Sequence, residues 1–346
     1  MPAAFKISRP GAYSTVQDLG RFGYQRYGVP PSGALDRFAA QTVNVLLGNH
    51  ENCAVLEMTM SGPVLEILAP CTLAVTGAAM PITLNATIVK NWSSFPVVKG
   101  DVVTIGHAEA GCRAYLGING GIDVPVIMGS RSCYTDGRLG GHEGRPLLAG
   151  DTLASCEQQI DRDTFENRVI PVAYRPTYSS HWELRAIPGP QDDYFDQGLE
   201  LFFSQQFTIT PQANRMGYRL KGPTIERKKT MPASIISEPS LPGGVQIPEG
   251  GDPIILLSEQ TVGGYAKIAT VIRDDIAKIA QAMPGDTIRF RKVSIEEARD
   301  IERKNKELLS LLQDEYSGEQ SFAVLGKQYY KSEIFNEKIM NFLRQI

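Results

Sequence analysis

Short apolar runs rich in β-branched residues alternate with glycine, proline and asparagine through the first 155 residues. Five of these runs follow one another at intervals of about ten residues, at 55–60, 63–69, 71–77, 81–89 and 101–108. That spacing is typical of a β-sandwich or a β-barrel. Strand patterns resume at 182–190 and continue to 286–293. The pattern therefore predicts a mainly β chain with strands in both halves.

A polar, irregular segment separates the two β-rich regions. Residues 157–180 carry few strand signals and two prolines, a composition common at domain boundaries. The length of 346 residues also corresponds to about two domains of roughly 150 residues each. We therefore predict a first β domain over 1–160 and a second over 161–293. The remaining residues, 294–346, are predicted to form a helical C-terminal extension.

Helical periodicity is confined to a few segments. Residues 34–47 place apolar side chains near helical spacing, with Ser32 as a candidate N-cap and Gly48 at the end. Another helix is predicted within 191–205. In the extension, Ser294 stands three residues before Glu297, which is a capping-box pattern at a helix start. A last helix is predicted at 332–346.

An internal echo links the two halves. The segments 98–105, 147–154 and 283–290 share the pattern apolar-x-Gly-Asp-x-apolar. A Gly-Asp pair favours a turn that leads the chain into a strand. The echo indicates a duplicated β-barrel unit, although such turns are common in unrelated proteins.

Composition and charge disfavour several classes of function for this chain. The chain has 35 Lys and Arg against 38 Asp and Glu, a net charge of −3, and no basic block. Nucleic acid is therefore not expected as a partner. No apolar run is long enough for a membrane span, and the N-terminus lacks an apolar signal core. The five cysteines are widely spaced without a CxxC pair, so we expect reduced thiols in a cytoplasmic protein and no metal site.

Polar side chains stand at the ends of apolar runs in the segment 237–272, SEPSLPGGVQIPEGGDPIILLSEQTVGGYAKIATVI. A buried polar group without a partner costs about 1–3 kcal/mol. Gln246, Gln260 and Lys267 must therefore bond to one another, to backbone or to a ligand. A glutamine amide can recognise a lactam, ureido or carboxyl group, and a lysine can hold an anion or a developing oxyanion. These residues, with Tyr265 beside them, predict a ligand cleft.

Three further motifs carry candidate side chains. In the Gly/Pro-rich loop of 13–39, Arg21 offers a fork of donors suited to a carboxylate, bicarbonate or phosphate, and Asp18 can position it or move protons. A structural Asp18–Arg21 pair is the alternative. The glycine-dense segment 115–151 contains Asn119 and Asp136, and hairpin turns alone would also explain its glycines. Arg215, in 211–223, is a candidate binding residue, for which a structural ion pair is the simpler explanation.

Several enzyme classes lack their signatures in this sequence. It contains no GxSxG elbow of a serine hydrolase, no amidase Ser-Ser-Lys arrangement, and no GxGxxG following a strand. It also lacks the GxxxxGK[ST] phosphate loop. These enzyme classes are therefore disfavoured.

The motifs together resemble a known family. STVQDLGRFGYQRYGVPPSGALD, GINGGIDVP, NRMGYRLKGP and GGVQIPEGGDPIILLSEQTVGGYAKIATVI closely resemble the KipA family. This family is also called allophanate hydrolase subunit 2 or biotin-dependent carboxyltransferase, and it includes the C subunit of 5-oxoprolinase. The resemblance covers about residues 5–293 and implies two cyclophilin-like β-barrel domains. The 294–346 extension lies outside it.

The resemblance also implies an activity and partners. It indicates a subunit of an ATP-dependent 5-oxoprolinase, which opens the lactam of 5-oxoproline to glutamate, acting with a KipI-like and a LamB-like subunit. ATP would bind this chain or a partner. Lys267, Arg21, Asp18 and Asp136 are then the candidate catalytic residues. The candidate substrate-binding residues are Gln246, Gln260, Asn119, Tyr265 and Arg215.

Two alternatives to 5-oxoprolinase stay open. One is a carboxyltransferase subunit that moves a carboxyl group from carboxybiotin to an amide nitrogen, as in urea carboxylase. The absence of a biotin carboxylase domain and of a biotinyl-lysine motif in this sequence favours 5-oxoprolinase over it. The other is a regulatory protein that acts by binding KipI.

Overall fold

The computed structural model describes residues 2–156 and 167–317. The predicted boundary between the first two domains, at 160/161, and the predicted helix at 332–346 lie outside the described residues. Within them no helix is long and apolar enough to cross a membrane.

The described residues of the first half form twelve strands and one α-helix. The strands are β1 (Phe5–Arg9), β2 (Tyr13–Gln17), β3 (Val55–Thr59), β4 (Val64–Ile67), β5 (Cys71–Ala79), β6 (Ile82–Leu84), β7 (Thr87–Val89), β8 (Ser93–Val97), β9 (Val102–Ile105), β10 (Ala110–Ile118), β11 (Ile122–Asp123) and β12 (Thr152–Ser155). All five runs predicted from 55–108 are strands, and 81–89 is a hairpin of β6 and β7.

Helix α1 spans Arg37–Leu46, slightly shorter than predicted. Its N-cap is Asp36, whose Oδ1 accepts the Ala39 N–H at 3.0 Å. The predicted cap, Ser32, is wrong: it lies four residues earlier in a loop, with a φ of 53°. Asp and Ser are equally good N-caps, so the sequence alone did not favour one over the other.

The second half contains the remaining strands and three helices. The strands are β13 (His181–Pro188), β14 (Gln206–Ala213), β15 (Gly217–Lys221), β16 (Glu238–Pro239), β17 (Gly244–Ile247), β18 (Ile254–Leu256), β19 (Val262–Gly263), β20 (Ala266–Val271) and β21 (Thr287–Lys292). The helices are α2 (Asp196–Ser204), α3 (Ile276–Gln281) and α4 (Ile295–Ser317). Ser294 Oγ accepts the Glu297 N–H at 3.1 Å, which confirms the N-cap half of the predicted capping box. The Glu297 carboxylate lies 2.9 Å from Arg291 Nη1.

The two halves close their sheets differently. In the first half a seven-stranded sheet, in the order β11-β12-β1-β4-β9-β6-β7, faces a five-stranded sheet, β2-β3-β10-β5-β8. Buried side chains of both sheets form one core. In the second half seven strands form a closed barrel, β13-β20-β17-β18-β15-β14-β21, around its own core. The mainly β prediction is confirmed.

The Gly-Asp echo is a repeated turn. In each copy the glycine has a positive φ, which favours glycine over other residues, and the next strand begins directly after the Asp. The glycines are Gly100, Gly150 and Gly285, with φ of 94°, 98° and 96°. Each Asp carboxylate accepts a hydrogen bond from the backbone N–H three residues earlier. Asp101 accepts from Val98 at 2.8 Å, Asp151 from Leu148 at 2.8 Å, and Asp286 from Met283 at 2.9 Å.

Each of these turns also docks on a neighbouring strand in the same way. The glycine N–H donates to an isoleucine carbonyl, and that isoleucine N–H donates to the Asp carbonyl. The isoleucines are Ile67, Ile7 and Ile209, with N···O distances of 2.8–2.9 Å. Two copies lie in the first half and one in the barrel, which supports the duplicated unit inferred from the sequence.

Candidate active site

Lys267 and Gln246 are neighbours on paired strands at one end of the barrel. They are Cα partners in the β17–β20 ladder, next to a register shift between Val245 and Gln246. Such a bulge re-aims the following side chain. Lys267 is 6% exposed and Gln246 4% exposed. Two polar side chains are thus buried at the point where the strands end, as the segment 237–272 predicted.

Lys267 is held by one acidic and one amide side chain. Its Nζ lies 2.6 Å from Glu238 Oε1, and its backbone N–H donates to Gln191 Oε1 at 3.0 Å. Gln191 Nε2 donates in turn to Glu238 Oε1 at 3.3 Å. The hydrogen bond from Lys267 lowers the pKa of Glu238 below its usual value. Because Glu238 is 40% exposed, the counter-ion of this lysine sits on the solvent side.

Two donors beside this pair have no partner. Gln246 Nε2 and Ser240 Oγ are buried without a hydrogen bond, although an unsatisfied buried group costs about 1–3 kcal/mol. Both lie against Gly263, where an added Cβ would collide with Gln246 Nε2. The glycine therefore allows close approach to the amide. We call Gln191, Glu238, Ser240, Gln246 and Lys267 the barrel-end cluster.

Gln260 and Tyr265 lie on the adjoining loop but are not bonded into this cluster. Gln260 Nε2 donates to the Val262 carbonyl at 2.5 Å, so its amide is engaged with its own loop. Tyr265 is 43% exposed. The sequence pattern missed Gln191 and Glu238. Glu238 lies within the segment 237–272, and Gln191 follows the Pro-Gly-Pro turn after β13. Position in these two motifs is the sequence signal that could have identified both residues.

Asp18 organises a loop of the first half. Its carboxylate accepts four hydrogen bonds at 2.5–2.8 Å, from Gly20 N, Ser130 Oγ, Arg131 N and Ser132 Oγ. These bonds tie the loop after β2 to residues 130–132. Both carboxylate oxygens are therefore occupied by protein donors.

Arg21 is fully buried, and its guanidinium hydrogen-bonds to backbone carbonyls rather than to Asp18, the structural partner considered as the alternative. Its Nε donates to the Ile127 carbonyl at 3.0 Å and its Nη2 to the Ser132 carbonyl at 2.9 Å. Nη1 has no partner. Burial lowers the pKa of this guanidinium. Nη1 is therefore a buried donor without a partner.

The remaining predicted residues are dispersed. Asp136 is exposed in a turn. Asn119 is buried, and its Oδ1 accepts the Thr72 N–H at 2.7 Å. Arg215 lies among acidic residues, with its Nε 2.6 Å from Glu259 Oε1 and its Nη2 donating to the Gly33 carbonyl at 2.7 Å. The structure therefore brings Gln246 and Lys267 together and leaves Asp136, Asn119 and Arg215 apart from them.

Arg215 belongs to a buried charge network between the two halves. Its Nη1 pairs with Glu57 Oε1 on β3, and Arg113 Nε on β10 lies 3.7 Å from the same oxygen. Glu57 Oε2 accepts the Tyr115 hydroxyl at 2.8 Å. Burial opposes ionisation of Glu57, but the guanidinium groups of Arg215 and Arg113 outweigh it and lower its pKa. We call Glu57, Arg113, Arg215 and Glu259 the interface cluster.

No metal site is formed by the described residues. Across 2–156 and 167–317, no group of three or more His, Cys, Asp or Glu side chains is placed to hold an ion.

Comparison with known proteins identifies the family. The carboxyltransferase domain family, subdomain A and B, matches residues 27–292. The C subunit of the Escherichia coli 5-oxoprolinase is 38% identical over 299 residues, covering 85% of this chain and 92% of the relative. That of Haemophilus influenzae is 36% identical with the same coverage.

A second group of relatives consists of much longer proteins. The urea amidolyase of Lachancea kluyveri is 33% identical over 332 residues, which are 90% of this chain but 18% of the relative. The crystal structure of the Kluyveromyces lactis urea carboxylase superposes with a TM-score of 0.85 at 32% identity, over 92% of this chain and 30% of that one. The chain belongs to the family of carboxyltransferase domains, subdomains A and B, together with the C subunit of 5-oxoprolinase.

Proposed function

We propose that this chain is a subunit of a heteromeric, ATP-dependent 5-oxoprolinase that opens the lactam of 5-oxoproline to glutamate. The observation that carries the proposal is the 38% identity to a 5-oxoprolinase C subunit over 92% of that relative. Its partners would be a KipI-like and a LamB-like subunit in the cytoplasm. ATP use is proposed for the assembly, without assigning the nucleotide to a residue of this chain.

The barrel-end cluster suits a lactam. A lactam carbonyl oxygen is an acceptor and would satisfy the unpaired Nε2 of Gln246. Lys267 would neutralise the substrate carboxylate or the oxyanion that forms as the ring opens, and Glu238 would be its counter-ion in the absence of substrate. Neither Lys267 nor Gln246 needs to break a buried protein network to do this.

The other predicted residues take supporting roles in the proposal. Arg21 offers its free Nη1 to an anionic intermediate, while Asp18 holds the loop around it. Gln260 and Tyr265 would contact substrate only if their loop closed over the cluster. We assign no contact with the lactam to Asp136, Asn119 or Arg215, because none of them is hydrogen-bonded to Gln246 or Lys267 in the described part of the chain.

The test is reconstitution. This chain would be co-expressed with the KipI-like and LamB-like proteins, and ATP-dependent release of glutamate from 5-oxoproline would be measured. Turnover is expected with all three proteins and ATP, and none when this chain is omitted. A stable three-protein complex that releases no glutamate would contradict the proposal.

A carboxyltransferase subunit is the second candidate. The TM-score of 0.85 to urea carboxylase favours it, and the Gln246 amide can also donate to the carbonyl of a ureido ring. Carboxybiotin would supply the carboxyl group in that case. Carboxylation of urea, assayed with this chain and a biotin carboxylase that carries carboxybiotin, distinguishes this activity from lactam opening.

A further inference from the structure

A large cleft lies between the two halves of the chain. It has a volume of about 920 Å³ and is walled by residues 31–41, 173–178 and 270–278 and by one face of α4. Small-molecule sites typically measure about 300–1,000 Å³. None of the residues of the barrel-end cluster lines this cleft. It is therefore a separate cavity, and one of its walls, α4, lies beyond residue 292, where the family match ends.

Four polar atoms that line this cleft are buried without a hydrogen-bond partner. They are Ser32 Oγ, Tyr178 OH, Ser258 Oγ and Asp274 Oδ2. Ser32 and Ser258 are 4% and 8% exposed, and they meet where the Ser32 N–H donates to the Ser258 carbonyl at 3.0 Å. The backbones of the two serines, one from each half, are thus in direct contact, and both hydroxyls are unpaired. Because buried polar groups are normally satisfied, their concentration in one cleft indicates a polar ligand.

The charged side chains around the cleft indicate the sign of the ligand's charge. Arginine and lysine side chains outnumber aspartate and glutamate among the lining residues by seven to four. Arg37 donates to the Leu19 carbonyl at 2.6 Å and forms no ion pair with an acid among the described residues. Burial and the repulsion of Arg273, on the facing wall, lower the pKa of Arg37 to about 10. Arg273 is itself paired with Glu302, with 3.1 Å between the charged atoms, so Arg37 is the guanidinium group that an anion would neutralise.

Much of the rest of the lining is apolar. Phe38, Trp182 and Leu309 contribute aromatic and aliphatic surface from the first half, the barrel and α4. Such a mixture of apolar walls and a few convergent polar groups is typical of sites for organic ligands rather than for inorganic ions.

We propose that this cleft binds an organic anion, whose charged group is held by Arg37 and whose oxygens accept the hydroxyls of Ser32 and Ser258. A carboxylate and a phosphate share this chemistry. The site is independent of lactam opening, because it uses none of the barrel-end residues and requires only binding.

The test measures binding to the purified full chain by isothermal titration calorimetry at millimolar ligand. Glutamate and 5-oxoproline serve as carboxylate probes and ADP as the phosphate probe. At least one probe is expected to bind, and Arg37→Gln is expected to weaken its binding about tenfold or more, or about 1.4 kcal/mol. Arg289→Gln, the same change at an exposed barrel arginine outside the cleft, is the matched control and should leave binding unchanged.

A further variant keeps the test decisive. Ser258→Ala removes an unpaired hydroxyl, so it should preserve the fold while weakening binding several-fold, and it replaces Arg37→Gln if that variant unfolds. The proposal is overturned if no probe binds or if neither cleft variant changes the affinity of a probe that binds.

Discussion

The interface cluster and the barrel-end cluster bury the same kinds of side chain but differ in how far the protein satisfies them. In the interface cluster, Glu57 accepts from Arg215 and Tyr115 and also from the Leu35 N–H at 2.9 Å. In the barrel-end cluster, Gln246 Nε2 and Ser240 Oγ have no partner. Arg113 Nε also lacks a hydrogen bond, but it lies 3.7 Å from Glu57 Oε1, whose charge compensates its own. The interface cluster can therefore be explained by folding alone, whereas the unpaired donors at the barrel end have no such compensation and favour a ligand.

The two clusters also differ in their access to solvent. Glu57 is 1% exposed, and its arginine partners are nearly as buried. Lys267 is equally buried, but its partner Glu238 is 40% exposed. An anionic substrate can therefore displace Glu238 from Lys267, while no small molecule reaches Glu57 without separating the two halves. This comparison favours a structural role for the interface cluster and supports the barrel-end cluster as the proposed site of chemistry.

The largest expected effect is on stability, from Glu57→Gln. This change keeps the shape of the side chain but leaves the guanidinium groups of Arg215 and Arg113 without their shared counter-ion. Breaking a buried pair in this way costs about 3–5 kcal/mol. Urea unfolding, followed by fluorescence and circular dichroism, would measure the loss.

A matched control is the exposed pair of Lys221 and Asp252, whose charged atoms lie 2.9 Å apart. Lys221→Met should change the unfolding free energy by about 0–1 kcal/mol, since exposed pairs contribute little. A loss below about 1 kcal/mol for Glu57→Gln would show that the interface cluster does not hold the two halves together.

The next effect is on activity. In the reconstituted enzyme, Lys267→Met should lower kcat/KM about a hundredfold or more, or about 2.7 kcal/mol of transition-state stabilisation, a typical loss for removal of an oxyanion donor. Its melting temperature should change little, because the released Glu238 can turn to solvent. Full activity in this variant would make Lys267 structural, and loss of the folded state would place it in the core.

A third effect is the pH dependence contributed by Asp36. Burial raises the pKa of this carboxyl group to about 6. The hydrogen bonds from Ala39 N and Gln281 Nε2 act in the opposite direction and lower the pKa, but burial has the larger effect. Since the folded pKa exceeds the unfolded value of about 3.9, its contribution to stability is fully present below about pH 4 and is lost as the pH rises through about 6.

The size of this contribution is about 3 kcal/mol at 1.36 kcal/mol per pKa unit. It is isolated by comparing the unfolding free energies of the wild-type chain and Asp36→Asn, because the opposing titration of Glu57 is common to both. The advantage of the wild type over Asp36→Asn should shrink between about pH 4.5 and pH 7. A pH-independent difference would mean that Asp36 keeps an ordinary pKa.

The sequence predicted the strands well because their determinants are local. The predicted runs became β3 to β7 and β9, and each Gly-Asp pair became the same turn, since positive φ at glycine and the Asp-to-backbone bond depend on adjacent residues. The cap of α1 was mispredicted because Ser32 and Asp36 are both competent caps. Only the tertiary contact of the Asp36 N–H with the Tyr115 hydroxyl, at 2.8 Å, separates them.

The site was harder to predict because pairing across the chain decides which polar groups remain free. Gln246 and Lys267 lie in one segment, and their strand-end positions indicated that they would meet. The occupation of Asp18 by Ser130 and Ser132, and of Arg215 by Glu57, depends on partners 112, 114 and 158 residues away. No local pattern shows such distant partners, so residue chemistry alone assigned these side chains to the site.

The smallest and most discriminating effect comes from one substitution made in both regions. Gln281 and Gln246 are 1% and 4% exposed, but the amide of Gln281 is fully bonded. Its Oε1 accepts the Cys112 and Arg113 N–H groups, each at 3.0 Å, and its Nε2 donates to Asp36 Oδ2 and the Arg113 carbonyl, at 2.7 and 2.8 Å. Gln281→Met should therefore destabilise the fold by about 1–3 kcal/mol, because it leaves buried groups unsatisfied.

Gln246→Met, the same change at the barrel end, removes an amide whose Nε2 has no partner. Methionine has a similar volume, so the unfolding free energy should stay the same or rise by up to about 1 kcal/mol, since an unsatisfied donor disappears. The same variant should weaken 5-oxoproline binding to the reconstituted enzyme. Equal destabilisation at both positions would show that Gln246 is satisfied within the folded protein, and the barrel-end cluster would then no longer require a ligand.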